Sequence, residues 1–269
     1  MQRPVAHGEP MAQPFVLLQL TDPHLYATAQ SQLRGVDTNE SFAAVLAQAQ
    51  HSSRWPPDAL LVTGDIVQDE SRAGYQRFRA MLEPLGLPVY SIPGNHDDPR
   101  LLAEIAHGGR FQVCGDARFG AWSVILLSTH LTGEDGGGLG AKRLRALAAT
   151  LAAHRDSRVL IAMHHHPLPV GSAWLDGVGL RDAAAFLDVI DAHPHVRGVV
   201  CGHTHQASDR ARRGVRFITS PSTCSQFLPC SDRFALDDRP PGMRWIALHA
   251  DGLIETEVQW VDALVSSSR

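Results

Sequence analysis

"ALLVTGDIVQDE" (residues 59–70) and "LPVYSIPGNHDD" (residues 87–98) share one plan. In each, an apolar run of strand length ends at a glycine, and carboxylate, amide or imidazole groups follow at once: Gly64-Asp65 in the first, Gly94-Asn95-His96-Asp97 in the second. A run that can be buried on both faces reads as an interior strand. Four more runs have the same character: "FVLLQL" from Phe15, "WSVILLS" from Trp122, "RVLIAM" from Arg158 and "VRGVVC" from Val196. Between the six lie stretches with apolar residues at three- and four-residue spacing, as in a helix with one buried face. They are "NESFAAVLAQAQH", "SRAGYQRFRAML", "DDPRLLAEIAH", "AKRLRALAATLAAH" and "LRDAAAFLDVIDAH". Strands alternating with helices of this length predict an α/β fold. After Cys201 the pattern changes to "VRFITS", "MRWIALH" and "IETEVQW" without long helices, so a second sheet or an antiparallel edge is expected to close the fold.

In open α/β sheets, ligands sit beyond the carboxyl ends of the strands. Five of the six ends carry donors: Asp22 and His24 in "TDPH", Asp65, Asn95-His96-Asp97, the histidines of "MHHHP", and His203 and His205 in "CGHTH". One histidine after a strand is more often structural than functional. Donors at five ends along one edge of a sheet are hard to credit to chance. Asp-x-His and His-x-His in extended chain would put both side chains on one side. Mixed imidazole and carboxylate donors without cysteine suit Fe, Mn, Zn or Co rather than a structural zinc. Asp22, His24, Asp65, Asn95, one histidine of "HHH", His203 and His205 are too many ligands for one tetrahedral ion, but they fit two ions that share a carboxylate.

In order and completeness, "D-P-H … G-D … G-N-H-D … H-H-H-P … G-H-T-H" resembles the calcineurin-like metallophosphoesterases. The longer stretches "HHHPLPVGSAWLD", "SPSTCSQFLP" and "PGMRWIALHADGLIETEV" are similar to bacterial 3′,5′-cyclic AMP phosphodiesterases of class III. The resemblance implies a four-layer α/β/β/α sandwich with two mixed β-sheets and two divalent or mixed-valence ions. It places Asp22, His24 and His205 on one ion, Asp65 between both, and Asn95, His203 and His164 on the other, with His165 the alternative to His164. It implies a catalytic His96, the candidate general acid, with Asp97 orienting its ring. The substrate phosphate would lie against His24, Asp65, Asn95, His96, His164 and His205. The implied activity is cyclic-nucleotide hydrolysis; another phosphodiester, such as a glycerophosphodiester or a 2′,3′-cyclic nucleotide, and a non-catalytic scaffold are the competing readings.

Bulk properties fit this reading. The chain has 269 residues, 44% of them hydrophobic, enough for one large α/β domain over residues 15–269 behind a loose tail over 1–14. A net charge of −4, from 24 basic and 28 acidic side chains without a long single-sign block, offers no footprint for nucleic acid or an anionic membrane. "MQRPVAHGEPMAQP" lacks the apolar core of a secretory signal, and no run is long enough to span a bilayer. Cys114, Cys201, Cys224 and Cys230 form no C-x-x-C pair; reduced thiols in a cytoplasmic protein are expected, although Cys224 and Cys230 could pair. Neither a P-loop nor a G-x-S-x-G nucleophile is present. "TGEDGGGLGAKR" (Thr132–Arg143) reads as a mobile loop near the site, with His130 before it a loop residue rather than an eighth donor. "SAWLDG" and "STCSQF" could line a base or ribose pocket, or form the contact of a homodimer.

Overall fold

The computed structural model describes residues 13–261, so residues 1–12 of the expected tail lie outside the described residues. Twelve strands form two six-stranded sheets. In chain order they are β1 (Phe15–Leu20), β2 (Ala59–Val62), β3 (Val89–Ser91), β4 (Phe111–Val113), β5 (Gly115–Phe119), β6 (Trp122–Leu127), β7 (Arg158–Met163), β8 (Val196–Cys201), β9 (Ser208–Arg212), β10 (Val215–Thr219), β11 (Gly242–Leu248) and β12 (Ile254–Trp260). The first sheet runs β12-β11-β1-β2-β3-β4 and the second β9-β10-β8-β7-β6-β5. Both are mixed. β1 to β4 pair in parallel while β11 and β12 add an antiparallel edge, and β9 and β5 are the antiparallel edges of the second sheet.

Alternation along the buried strands builds the layers, because successive side chains face opposite ways. Leu17, Leu61, Leu160 and Val200 point into the space between the sheets, where they meet Val124 and Ile246. Their neighbours Leu18, Leu60 and Val62 face outward against α1 (Thr38–Gln50), α2 (Arg72–Leu82) and α3 (Pro99–Ile105), through Phe42, Val45, Tyr75, Phe78 and Leu102. On the other side Val159, Ile161 and Val199 pack on α4 (Gly140–Ala153) and α5 (Ala183–Asp191) through Leu147, Leu151, Phe186 and Ile190. The result is the α/β/β/α sandwich. Burying each such side chain contributes about 1.5–3 kcal/mol, which is why these strands read as continuous apolar runs.

Local signals set the helix starts. Asp37 caps α1, accepting from the amides of Asn39 and Glu40 at 3.0 and 2.9 Å. Asp98 caps α3, whose first residue is Pro99, so the helix begins after the "GNHDD" burst rather than within it. The donor-bearing strand ends do not lie on one edge of one sheet, as the sequence suggested. β1, β2 and β3 belong to the first sheet, and β7 and β8 to the second. Their carboxyl ends meet at one end of the sandwich.

Candidate active site

Beyond β1 and β2 the chains stay laced together: the amides of Asp22, His24 and Leu25 donate to the carbonyls of Gly64, Asp65 and Ile66 at 3.0, 3.0 and 2.9 Å. The donor-bearing residues are not extended. Asp22, His24, Asp65, His203 and His205 all take left-handed backbone, with φ of 54°, 49°, 50°, 67° and 48°. The Asp-x-His and His-x-His pairs therefore converge through successive left-handed turns, not through the two-residue strand repeat. Non-glycine residues seldom adopt this conformation, and it persists where surrounding contacts enforce it.

Close approach explains the glycines better than turning does. A Cβ on Gly94 would lie 2.8 Å from the Asp65 carboxyl carbon, and one on Gly202 would lie 2.8 Å from the Thr63 carbonyl oxygen. Of the three glycines that precede donors, Gly64 alone has positive φ, 98°.

The structure brings the seven expected ligands together. Ligand atoms of Asp22, His24 and His205 lie within 4.8 Å of one another, as do those of Asp22, Asp65 and His164. His24 Nε2 faces His205 Nε2 at 3.2 Å, and His205 Nε2 lies 3.4 Å from Asp22 Oδ1. Asp65 Oδ2 reaches both sides, at 3.9 Å from His24 Nε2 and 3.4 Å from His164 Nε2. Asn95 Oδ1 sits 3.0 Å from His203 Nδ1 and 3.2 Å from His164 Nε2. Second contacts aim the rings: His164 Nδ1 pairs with the Thr63 carbonyl and His205 Nδ1 with the Ser225 carbonyl, both at 2.7 Å, leaving each Nε2 lone pair turned to the centre.

His165 also comes near, forming a third cluster with His164 and His203, while a fourth joins His96 to His24 and Asp65. Both nitrogens of His165 are engaged elsewhere, by Thr129 Oγ1 at 2.7 Å and the Asp135 carbonyl at 3.1 Å.

Electrostatics favour a bound cation. Burial pushes His24 down to about 3 and holds His165 and His203 well below the usual imidazole range, so these rings are neutral lone-pair donors. Burial opposes ionisation of Asp22 and Asp65 too, but His205 beside the first and His164 beside the second keep both carboxyls ionised. Burial likewise lowers His164, yet Asp65 outweighs it and raises that ring to about 9, so a cation bound at its Nε2 must displace a proton held there by Asp65. Two carboxylates, an amide oxygen and four imidazoles, without a thiolate, fit hard or borderline divalent cations.

Two expectations need correction. Asp97 does not orient His96. Its fully buried carboxylate accepts from the amides of Ile66, Val67 and Gly94 and from Tyr75 Oη, at 2.8–3.1 Å, which ties the "GNHD" loop to the "GDIV" loop. The His96 ring pairs instead through Nδ1 with Gln68 Nε2 at 3.1 Å, and the His96 amide donates to Asp65 Oδ1 at 2.9 Å. The second correction concerns Thr132–Arg143. Its last four residues already belong to α4, and the rest is anchored by a bridge between Gly137 and Leu180 and by an ion pair between Arg181 and Glu134 at 2.6 Å. His130 pairs with the Gly94 carbonyl at 2.9 Å and joins no ligand cluster.

The cluster floors a pocket of about 310 Å³. Leu33, Trp174, Leu175, Val178 and Phe227 supply its apolar wall, so "SAWLDG" and "STCSQF" contribute to the pocket. Gln68 and Arg34 also line it, and sequence reasoning missed both. Arg34 carried one readable signal: with Gly35 it forms the two left-handed residues, φ 54° and 85°, of a tight hairpin between Gln32–Leu33 and Val36–Asp37.

Fold and site define a phosphoesterase of the calcineurin-like type: that family's sequence profile matches residues 15–207, and the chain belongs to the family. It is 43% identical over 246 residues to the 3′,5′-cyclic adenosine monophosphate phosphodiesterase of Vibrio vulnificus, spanning 90% of this chain and 89% of that one. It is 38% identical over 254 residues to the enzyme of the same name from Pseudomonas aeruginosa, spanning 93% and 91%. Among solved structures, a dimetal phosphatase from Danio rerio superposes with a TM-score of 0.63 at 16% identity, covering 93% of this chain and all of that one, a likeness of fold.

Proposed function

We propose that this protein is a cation-dependent phosphodiesterase that hydrolyses 3′,5′-cyclic AMP to 5′-AMP. The observation that carries the reading is a single pocket with a floor of phosphate- and cation-type donors and an aromatic wall. A substrate that joins a phosphodiester to a flat apolar base matches both halves. The near full-length likeness to enzymes named for cyclic AMP supports the same choice.

Two ions fit the donors: Asp22, His24 and His205 on one, Asn95, His164 and His203 on the other, and Asp65 shared. The orientation of His164 and the engaged nitrogens of His165 favour the first of the two as ligand. Iron, manganese, zinc and cobalt all suit the set. When bound, the cations supply Lewis acidity at the phosphoryl oxygens and lower the pKa of water. The chain supplies the rest. His96 Nδ1 is held against the Gln68 side-chain amide, which leaves Nε2 to face the substrate; as the imidazolium, the ring would give its Nε2 proton to the departing ribose 3′ oxygen and remain as neutral imidazole. Asp97 and the Asp65 carboxylate hold the backbone that carries this ring. A cytoplasmic location belongs to the same proposal; it is supported by four unpaired cysteines, of which Cys230 is exposed. No helix among the described residues is long and apolar enough to cross a membrane.

The test is steady-state hydrolysis by protein stripped with chelator and reloaded with Mn²⁺. Substrates are 3′,5′-cyclic AMP, 2′,3′-cyclic AMP, a glycerophosphodiester and bis-p-nitrophenyl phosphate. A kcat/KM preference for the 3′,5′-cyclic nucleotide is expected. Turnover of the synthetic diester without that preference would keep the hydrolytic centre and overturn the substrate.

A further inference from the structure

The apolar wall carries a polar feature that hydrolysis at phosphorus does not use. The indole N–H of Trp174 is buried and has no hydrogen-bond acceptor among the described residues. Its ring lines the pocket, on the short helix Ala173–Asp176. A buried donor left unpaired is unfavourable, and the deficit disappears when a bound ligand brings an acceptor.

The surroundings specify that ligand's shape. Phe227 stacks face to face on the His205 ring, 4.0 Å between centroids and 6° between planes, so it joins the cation-binding floor to the wall. Trp174 meets Phe227 edge-on at 5.1 Å and Phe234 at 5.3 Å. From the hairpin Gln32–Asp37, the Arg34 guanidinium lies over Phe234 at 4.1 Å and faces Phe227 at 5.9 Å. A flat heteroaromatic ring can lie against these apolar side chains with a planar cation at its side. A ring nitrogen with a free lone pair can accept from the indole.

We infer that Trp174 and Arg34 form the nucleobase subsite, in which the Trp174 N–H donates to a ring nitrogen of the purine and Arg34 flanks the ring. This rests on the cyclic-nucleotide reading and adds the residues that would select the base. Trp174 is a specificity residue: it acts on the base and not on the reacting phosphorus.

Trp174→Phe keeps an aromatic wall and deletes the donor. Its kcat/KM is measured on 3′,5′-cyclic AMP and on ribose 3′,5′-cyclic phosphate lacking the base, so that turnover of the base-free compound reports folding and the catalytic centre. The ratio of the two constants is expected to fall about tenfold, chiefly through KM for cyclic AMP. The 1-, 3- and 7-deaza analogues of cyclic AMP locate the acceptor. One of them should cost wild-type protein a similar factor and cost Trp174→Phe nothing further. Arg34→Ala should lower the same ratio. An unchanged ratio in Trp174→Phe, or additive losses with all three analogues, would overturn the subsite while cyclic AMP hydrolysis stands. Wild-type protein that cleaves bis-p-nitrophenyl phosphate but prefers no cyclic nucleotide would overturn the substrate assignment and the subsite together.

Discussion

In the proposed mechanism, His96 and Gln68 decide whether the leaving oxygen departs with a proton. Replacing His96 with alanine should slow cyclic AMP turnover by at least ~10²-fold, the usual range for loss of a general acid. Bis-p-nitrophenyl phosphate should lose much less, because p-nitrophenolate leaves without protonation; equal losses on both substrates would make His96 a phosphate contact instead. Cation content, read by atomic emission, should stay at the wild-type value. Gln68→Leu removes the partner of His96 Nδ1 and frees the ring. A loss of about 10-fold on cyclic AMP is expected, the scale on which partners of functional histidines act. A wild-type rate would show that the ring needs no such guide. The ligand candidates were legible in the sequence because polar donors stand out at the ends of apolar runs. Gln68 was not: its role is a hydrogen bond to a residue 28 positions away, and "GDIVQ" contains nothing that announces it. Asp97 misled for the opposite reason. A carboxylate beside a candidate catalytic histidine suggests a dyad, yet this one is spent on three backbone amides and a tyrosine hydroxyl, with burial, and Asp65 after it, raising it to about 6.

Among elements, the buried strands and long helices follow their sequence patterns closely, whereas β4, β5 and β9 have no counterpart in the reading. β5 and β9 are edge strands with largely exposed, polar side chains, and β4 is three residues long, so none shows a strong two-residue alternation. The hairpin bearing Arg34 escaped for a similar reason: its ladder is two residues on each side, and only the Arg-Gly turn marks it. Turns hold the candidate site, and their conformations cannot be read from periodicity. Gly94 shows what they demand, since its missing side chain lets the "GNHD" loop lie against Asp65. Gly94→Ala should push the Asp65 carboxylate aside, lower urea stability by about 1–3 kcal/mol, as overpacking does, and weaken cation binding measured by calorimetry. Gly35→Ala, unlike Gly94→Ala, asks alanine to take positive φ, but it meets open space. It should cost about 1 kcal/mol and leave cation affinity alone. Equal effects of the two substitutions would refute the close-packing argument.

For the whole molecule, the candidate centre lies where the two sheets meet, and each sheet supplies part of it. Asp22, His24, Asp65 and Asn95 follow strands of the first sheet, and His164, His203 and His205 follow strands of the second. Beneath them a buried polar strip already joins the sheets. Gln19 donates to Thr63 Oγ1 at 2.9 Å and to the Cys201 carbonyl at 3.2 Å, and accepts from Ser220 Oγ at 2.6 Å. Arg244 on β11 reaches Ser220 Oγ at 3.0 Å and the Thr219 carbonyl at 2.9 Å. Because every one of these groups has a partner, the sandwich should stay closed without cations. A cation held by ligands from both sheets would add a second clasp that exists only in the folded chain. Binding to the native state alone stabilises by about 2.7 kcal/mol at a ligand concentration of one hundred times Kd. At roughly 2–4 °C per kcal/mol for a chain of this size, chelation should lower Tm by about 5–10 °C, with a single cooperative transition retained. The check is a thermal scan of chelated protein against protein reloaded with Mn²⁺, with activity assayed on the same samples. If reloading restores hydrolysis but leaves Tm unmoved, the ions contribute chemistry without joining the sheets, and the clasp is wrong. If chelated protein melts broadly or not at all, the polar strip cannot hold the sandwich by itself.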